Sequence, residues 1–320
     1  MIRKAENRKV RMELMEKEFV LKTKGLEKHY KGFNALNGVD MNVPKGSIYG
    51  FVGKNGAGKT TLIRLICGMQ LPTGGEFTLY GKSSKDKDIA RARKKMGAVV
   101  ESPAIYTDMT ARDNLKQQYR ILGLPNYDGI DEILQLVGLA DTGKKKAKNF
   151  SLGMRQRLGI AVSLCGDPDF LVLDEPINGL DPQGIIEIRE LIIKLNRERD
   201  ITVLISSHIL DELSRLATHY GFIDGGRMIK EMSAEELESA CRKCTRIKVS
   251  DIRALSKVCE EMGYSYEVCS ESTVDIFAKP NITQLTLKLA ENNCEILEVA
   301  ERDESLESFY ISLVGGEQNA

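Results

Sequence analysis

The sequence has no apolar stretch long enough to cross a membrane. A membrane-spanning helix needs about 18–20 consecutive apolar residues, and charge-free stretches such as residues 65–75 are shorter and contain glycine and proline. The first residues are charged and lack the apolar core of a secretion signal. We therefore expect the chain to stay on the cytoplasmic side of the membrane and its seven cysteines to be reduced thiols.

The sequence also has no excess of charge of either sign. Its 46 basic residues balance its 46 acidic residues, so we have no reason to expect a nucleic-acid binder that depends on bulk positive charge. Hydrophobic residues make up 42% of the 320 positions, which is typical of a globular protein rather than a disordered one. This length predicts more than one domain but fewer than three.

The pattern of apolar residues divides the chain into three segments. Residues 1–20 are highly charged and predict a helical extension, unless the physiological start lies at Met12 or Met15. Residues 21–235 alternate short apolar runs with amphipathic segments, which is typical of an α/β fold with a mainly parallel sheet covered by helices. Residues 240–320 predict a small α+β domain with the element order β-α-β-β-α-β-α, which is compatible with a ferredoxin-like fold.

A glycine-rich loop stands between a predicted strand and a predicted helix. Residues 53–60, Gly-Lys-Asn-Gly-Ala-Gly-Lys-Thr, match the phosphate-binding pattern G-x-x-x-x-G-K-[ST] at every fixed position. Glycines let backbone N–H groups approach a phosphate closely, and the helix N-terminus adds positive potential. We expect Lys59 to bind the β- and γ-phosphates of a nucleotide and Thr60 to ligate Mg²⁺. The predicted phosphate contacts are Gly53, Asn55, Gly56, Ala57, Gly58, Lys59, Thr60 and Thr61.

Two adjacent carboxylates follow the apolar run of residues 170–173. A carboxylate at the end of a buried strand can hold Mg²⁺ through water, and a second one can act as a general base. We expect Asp174 to take the first role. We expect Glu175 to take the second by polarising the water that attacks the γ-phosphate.

Together with these two motifs, four further features, in the order in which the family has them, resemble the ATP-binding subunits of ABC transporters over residues 21–235. Tyr30 stands where the family has an aromatic side chain that stacks on adenine. The run Phe150-Ser-Leu-Gly-Met154 resembles the family signature, and Asn178-Gly-Leu-Asp181 resembles the turn at the dimer seam. Ser206-Ser-His208 resembles the segment that carries the family's switch histidine.

The resemblance implies a P-loop ABC domain with a parallel core sheet, an antiparallel β subdomain and a helical subdomain at about residues 102–165. It implies that Ser151 and the backbone N–H of Gly153 bind the γ-phosphate held by an opposite subunit. It places Asp181 at the seam and His208 against the γ-phosphate and the attacking water. Two chains packed head to tail would close two ATP sites, either as a homodimer or as a heterodimer with a paralogue.

The sequence departs from the family pattern at two places. Glu101 stands where the family usually has Gln; its carboxylate can also ligate Mg²⁺, but its charge would repel the γ-phosphate. In the signature, Leu152 and Met154 replace the usual Gly and Gln. Residues 304–316, near the C-terminus, form a further segment of interest. Together with Glu101 and the signature region, this segment resembles the ATPases of bacitracin- and lantibiotic-resistance exporters in bacteria. The resemblance implies ATP hydrolysis that drives a separate membrane permease, docked near the helical subdomain at the cytoplasmic face.

Two other classes of protein fit the sequence less well. A soluble ABC-type ATPase acting on ribosomes or nucleic acid usually carries two cassettes or long coiled coils, whereas this chain has one phosphate loop and no sustained heptads. A P-loop kinase or GTPase would not need the signature, and the guanine motif Asn-Lys-x-Asp is missing. The pair Cys241 and Cys244 has no second pair at zinc-site spacing, so we interpret both as thiols.

Overall fold

The structure is a computed structural model that describes residues 19–241, 244–302 and 306–315. These residues form two units, which divide between Ala234 and Glu235. Residues 1–18, on which the predicted helical extension falls, lie outside the described residues. Strand β1 spans Phe19–Tyr30 and its residue Val20 is buried, whereas the sequence pattern predicted the start of the first domain at residue 21.

The strands and helices follow one another in the predicted alternation. The strands of the first unit are β1 (Phe19–Tyr30), β2 (Phe33–Pro44), β3 (Ile48–Val52), β4 (Gly74–Leu79), β5 (Lys82–Ser83), β6 (Met96–Val99), β7 (Phe170–Asp174), β8 (Thr202–Ser207), β9 (His219–Asp224) and β10 (Arg227–Ser233). Its helices are α1 (Lys59–Ile66), α2 (Ile89–Arg93), α3 (Ala111–Leu122), α4 (Ile130–Leu136), α5 (Leu152–Leu164), α6 (Pro182–Arg199) and α7 (Leu210–Ser214), and α8 (Ala234–Ala240) begins at the division between the units.

A six-stranded sheet in the order β10-β9-β3-β8-β7-β6 forms the centre of the first unit. The strands from β9 to β6 are parallel, and β10 is an antiparallel edge strand. Every residue of β3, β7 and β8 is buried, as expected for strands covered on both faces. The predicted parallel core sheet is therefore confirmed.

The register of this sheet places three chain segments at one edge. Val52 at the end of β3 pairs with Ser207 of β8, and Asp174 at the end of β7 pairs with Ser206. Because parallel strands all point the same way, the loops that follow β3, β7 and β8 leave the sheet side by side. Ligands of open α/β sheets usually bind at this carboxyl edge.

A second, antiparallel sheet in the order β2-β1-β4-β5 confirms the predicted β subdomain. Residues of β1, β2 and β4 share one hydrophobic core with residues of α1 and β3. Helix α1 contributes Leu62, Ile63, Leu65 and Ile66 to this core, all of them fully buried. The phosphate-loop helix is thus held by both sheets of the unit.

The helices α3, α4 and α5 lie between β6 and β7 in the sequence, in the segment predicted to form the helical subdomain. Helix α3 begins after Thr110, whose hydroxyl accepts a hydrogen bond from Asp113 N. The buried side chain of Asn114 accepts from Tyr106 N and donates to Tyr106 O and Thr110 O, which fixes the incoming loop. No helix in the described ranges is both long enough and apolar enough to span a bilayer.

The second unit comprises β11 (Cys244–Val249), α9 (Ile252–Met262), β12 (Tyr266–Ser270), β13 (Thr273–Ile276), α10 (Ile282–Glu291), β14 (Ile296–Arg302) and α11 (Leu306–Gly315). Its sheet is antiparallel, in the order β12-β13-β11-β14. Strands β11 and β12 are joined through α9, yet β13 lies between them. This is the split β-α-β arrangement of a ferredoxin-like fold, so the predicted element order is confirmed.

The core of the second unit lies between its sheet and its helices. Alternate residues of β11 and β13 pack against apolar residues of α9 and α10. This core contains Ile247, Val249, Leu255, Val258, Cys259, Val274, Ile276, Leu285, Leu289 and Cys294. The members are contributed from within one unit, which supports the view that it is a domain with its own core.

Burial keeps several thiols protonated. It raises the pKa of Cys67 and of Cys165 to about 12, and that of Cys259 to about 11. A thiol reacts and binds metals as the thiolate, which these three side chains do not form near neutral pH. They behave as small apolar residues of the two units.

We expect Leu255→Ala to destabilise the second unit, because it removes a fully buried side chain from that unit's core. The expected loss is about 2–5 kcal/mol. Hydrogen exchange on the full chain should show faster exchange in β11, α9 and α10 and unchanged protection in β3, β7 and β8. The matched control is Leu287→Ala on α10, which is 62% exposed and should change neither region. Equal loss of protection in both units would contradict a separate core.

Candidate functional site

The phosphate loop joins β3 to α1 at the carboxyl edge of the central sheet. Helix α1 begins at Lys59, and its N-cap is Gly58, which has no side chain to bond the first N–H groups. These N–H groups, together with the positive end of the helix, form a place for an anion. The sequence predicted both the loop and the start of the helix.

The three glycines of the loop differ in what requires them. A Cβ on Gly53 would lie 2.6 Å from Ile223 O, and one on Gly58 would lie 2.7 Å from Ala35 O. Packing inside the unit therefore requires glycine at both positions, and Gly58 also has a φ of +110°. At Gly56 nothing lies within 4 Å of an added Cβ. The loop is thus closely packed on its inner side and open at Gly56.

Lys59 is the buried cation of the site. Its side chain is 5% exposed. The ammonium group donates hydrogen bonds to Gly53 O at 2.6 Å and to Lys54 O at 3.2 Å. It also lies 3.2 Å from Glu175 Oε1. A buried charge needs such partners, and here the loop carbonyls and one carboxylate supply them.

The two carboxylates after β7 are connected through Ser206 of β8. Ser206 is fully buried. Its hydroxyl donates to Asp174 Oδ1 at 2.6 Å and accepts from Glu175 N at 2.9 Å. Glu175 itself has a φ of +49°, a backbone conformation that residues other than glycine rarely adopt. One serine therefore fixes the buried Asp174 and the backbone of Glu175.

His208 follows β8 and completes this arrangement. Its Nδ1 lies 2.7 Å from Glu175 Oε2. The two oxygens of Glu175 thus contact different partners, Lys59 on one side and His208 on the other. The three residues predicted as catalytic from separate motifs stand together in the structure.

An open cleft of about 250 Å³ lies beside the loop. Most of the predicted phosphate contacts line it, whereas Gly53, Ala57 and Asp174 lie buried behind its surface. The lining residues are Phe33, Ala35, Asn55, Gly56, Gly58, Lys59, Thr60, Thr61, Glu175 and Asn178.

Three residues that line the cleft were not predicted from the sequence, namely Phe33, Ala35 and Asn178. Phe33 pairs with Tyr30 at the tip of the β1–β2 hairpin and is 58% exposed. The sequence signal that could have identified Phe33 is a phenylalanine directly after a Lys-Gly pair, which favours a turn. Tyr30 does not line the cleft; its hydroxyl donates to Gln70 Oε1, and the Lys28 ammonium lies 5.3 Å from its ring centre.

The signature residues and Asp181 of the predicted seam turn lie at the starts of two helices. The Ser151 hydroxyl caps α5 by accepting a hydrogen bond from Met154 N at 3.2 Å. Asp181 caps α6 by accepting from Gly184 N at 3.2 Å. A Cβ on Gly153 would meet no atom closer than 3.9 Å, so packing in this chain does not require glycine there. Within the described residues, Ser151, Gly153 and Asp181 are not part of the cleft lining.

Glu101 lies just after β6 and is likewise outside the cleft lining. Its carboxylate forms an ion pair with the guanidinium of Arg64 on α1. The structure therefore shows a protein partner for Glu101, and its predicted role as a Mg²⁺ ligand stays a prediction.

Comparison with known proteins gives the same assignment as the motifs. Residues 36–178 match the family model described as ABC transporter. The chain is 39% identical over 302 residues to the bacitracin transport ATP-binding protein BcrA of Bacillus licheniformis, which covers 93% of this chain and 98% of that one. It is 42% identical over 220 residues to the lantibiotic transport ATP-binding protein SrtF of Streptococcus pyogenes, which covers 69% and 93%.

Solved structures with a similar fold are cassettes of ABC transporters. The structure of cbiO1 from Clostridium perfringens, part of the transporter complex cbiONQ, matches with a TM-score of 0.63 at 25% identity over 77% of this chain and 96% of that one. The ADP conformation of the cassette MJ1267 matches with a TM-score of 0.63 at 26% identity over 70% and 94%. The chain therefore belongs to the ATP-binding subunits of the ABC transporter family, whose members hydrolyse ATP to power transport.

Proposed function

We propose that this chain is the ATPase of an exporter that protects a bacterial cell from antimicrobial peptides. The observation that carries this proposal is the similarity to the bacitracin transport protein, which extends over 302 residues and so includes the second unit. The similarity to the lantibiotic transport protein covers 69% of the chain. A cargo of the bacitracin class is therefore favoured over a lantibiotic. The chain would act at the cytoplasmic face of the membrane, docked on a separate permease near α3–α5.

The cleft fits the triphosphate of ATP with its Mg²⁺. The uncapped start of α1 and the Lys59 ammonium would bind the phosphates. The Thr60 hydroxyl in the cleft and the buried Asp174 carboxylate would hold the metal, and Glu101 is the third possible ligand. When bound, Mg²⁺ would neutralise charge on the phosphate oxygens. Phe33 and Tyr30, paired at the hairpin tip, are the aromatic side chains available to the adenine base.

Glu175 is the group best placed to act as the base. Its carboxylate would take a proton from the attacking water while the new O–P bond forms at the γ-phosphorus. The bond from the γ-phosphorus to the bridging oxygen breaks, which leaves ADP and phosphate. His208, 2.7 Å from Glu175 Oε2, would orient this carboxylate, and Lys59 would stabilise the phosphate charge.

A second chain would complete each site. Ser151 and Gly153 stand at the start of α5 but do not line the cleft of their own chain. The space around Gly153 leaves its backbone N–H open to a phosphate on another subunit. Head-to-tail packing of two chains would bring each signature to the opposite cleft, with Asp181 at the seam. The partner would be an identical chain or a paralogue, and nucleic acid is not an expected partner.

Glu175→Gln should lower ATP turnover at least 100-fold and leave ATP binding intact, because it removes the base but keeps the shape of the side chain. Steady-state hydrolysis and calorimetric ATP binding measure the two effects separately. The exposed Glu190 on α6 offers a matched control, and Glu190→Gln should hydrolyse ATP at the wild-type rate. Turnover that survives in Glu175→Gln would exclude Glu175 as the base.

Ser206→Ala should reduce kcat by roughly 10- to 100-fold with a smaller change in KM. The substitution removes the bond to the buried Asp174 and the shorter of the two hydrogen bonds that Glu175 N donates, whereas Ser206 O still accepts from Glu175 N at 3.2 Å. A hydrogen bond to a charged group contributes about 1.5–3 kcal/mol. The control is Ser207→Ala, because the hydrogen bonds of the Ser207 hydroxyl to other described residues are with the backbone of Ile209. Equal kinetics for both variants would show that Ser206 has no part in positioning the carboxylates.

The transport function is tested by isolating tagged Glu175→Gln with ATP from gently solubilised native cells. We expect mass spectrometry to identify a polytopic membrane protein, and we expect cells carrying Lys59→Ala to become more sensitive to bacitracin. Recovery of ribosomes or nucleic acid without a membrane protein would instead support a soluble ABC-type ATPase and would contradict the proposed location.

A further inference from the structure

We propose that Arg64 is a positioning residue that controls Glu101. In this proposal the guanidinium holds the Glu101 carboxylate on α1, cancels its charge next to the triphosphate, and competes with Mg²⁺ for it. The inference rests on the proposed nucleotide site. It assigns a role to a residue that none of the motifs includes.

The position of Arg64 places it beside the phosphate site. Arg64 lies on α1, four residues after Thr60, and residues four apart are neighbours on one face of a helix. The guanidinium pairs with Glu101, so the carboxylate is held within about one helical turn of the hydroxyl that would ligate Mg²⁺. The side chains of Arg64 and Glu101 are 34% and 57% exposed, which leaves the pair free to open.

The backbone conformation at Glu101 is a second observation on this carboxylate, because the chain makes an unusual turn at this residue. Ser102 N donates a hydrogen bond to Val100 O at 2.7 Å, which closes a three-residue turn around Glu101. Glu101 has a φ of +59° at the centre of this turn. Such a turn is strained for a residue with a Cβ and persists where the surroundings hold it. In this conformation the Glu101 carboxylate forms its ion pair with Arg64.

The pair also explains how a carboxylate is tolerated at a position where its charge would repel the γ-phosphate. At physiological ionic strength, charges act on each other over about 8 Å, so an uncompensated Glu101 would weaken the binding of a triphosphate. With Arg64 in place the two charges cancel.

We expect two effects of Arg64→Gln, and both raise the ratio of the Kd without metal to the Kd with Mg²⁺. Without metal, the freed carboxylate repels the triphosphate and raises its Kd. With Mg²⁺, the freed carboxylate is available as a ligand and lowers the Kd. The factor by which Mg²⁺ strengthens binding should therefore rise in Arg64→Gln, by about threefold for an exposed pair of this kind.

Calorimetry on the full chain with a non-hydrolysable ATP analogue, in EDTA and in Mg²⁺, measures this factor without relying on turnover. Arg64→Lys keeps the charge and should stay close to wild type. In a Glu101→Gln background, Arg64→Gln should raise the factor less than it does in the wild-type background, because there is no carboxylate to release and only the direct attraction of Arg64 for the phosphates is lost. The matched control is Arg112→Gln, which removes an exposed ion pair with Asp131 between α3 and α4.

An unchanged factor in Arg64→Gln would overturn the proposal. The same rise in the Glu101→Gln background would also overturn it, because Arg64 would then act without Glu101. Failure of the wild-type chain to bind the analogue at all would contradict the proposed nucleotide site instead. The two failures are therefore distinguishable.

Discussion

The buried ion pair between Lys59 and Glu175 sets the arrangement of the site. Lys59 loses its hydration at 5% exposure, so it needs a carboxylate and carbonyl oxygens as partners. The parallel register of β3, β7 and β8 supplies them, because it brings the phosphate loop, the carboxylates and Ser206 to one edge of the sheet. The positive φ of Glu175 turns its side chain toward Lys59 and His208. Sheet topology and charge pairing thus impose the same geometry.

Much of this site could be predicted from the sequence, because its residues lie in short motifs at strand ends. Continuous apolar runs identify the buried strands, and the side chains that follow them must share an edge. The partner of Glu101 could not be predicted in this way, since Arg64 belongs to a different element and is only half-buried. The same holds for Phe33, which lines the cleft while Tyr30 bonds to Gln70. These contacts depend on side-chain directions at a turn and a hairpin tip, and no periodicity encodes them.

In the second unit, the sequence pattern predicts the order of the elements but not which strands pair. Its element order follows from alternating and amphipathic patterns in residues 244–315. The insertion of β13 between β11 and β12 is a non-local pairing, and no local pattern specifies which strands become neighbours. The similarity to the bacitracin transport protein extends over this unit, so its sequence is part of what relates the two chains. Its function does not follow from a cluster of catalytic side chains.

We propose that one chain carries two half-sites and that ATP joins them across two subunits. Sedimentation of Glu175→Gln measures this directly. We expect a species near the 35.7 kDa of one chain without nucleotide and one of about twice that mass with Mg-ATP. A second change, Gly153→Asp, should keep ATP binding and abolish the larger species, because it places a negative charge where the opposite phosphate would bind. A dimer that forms without ATP, or one that survives Gly153→Asp, would show that ATP bound against the signature does not join the two subunits.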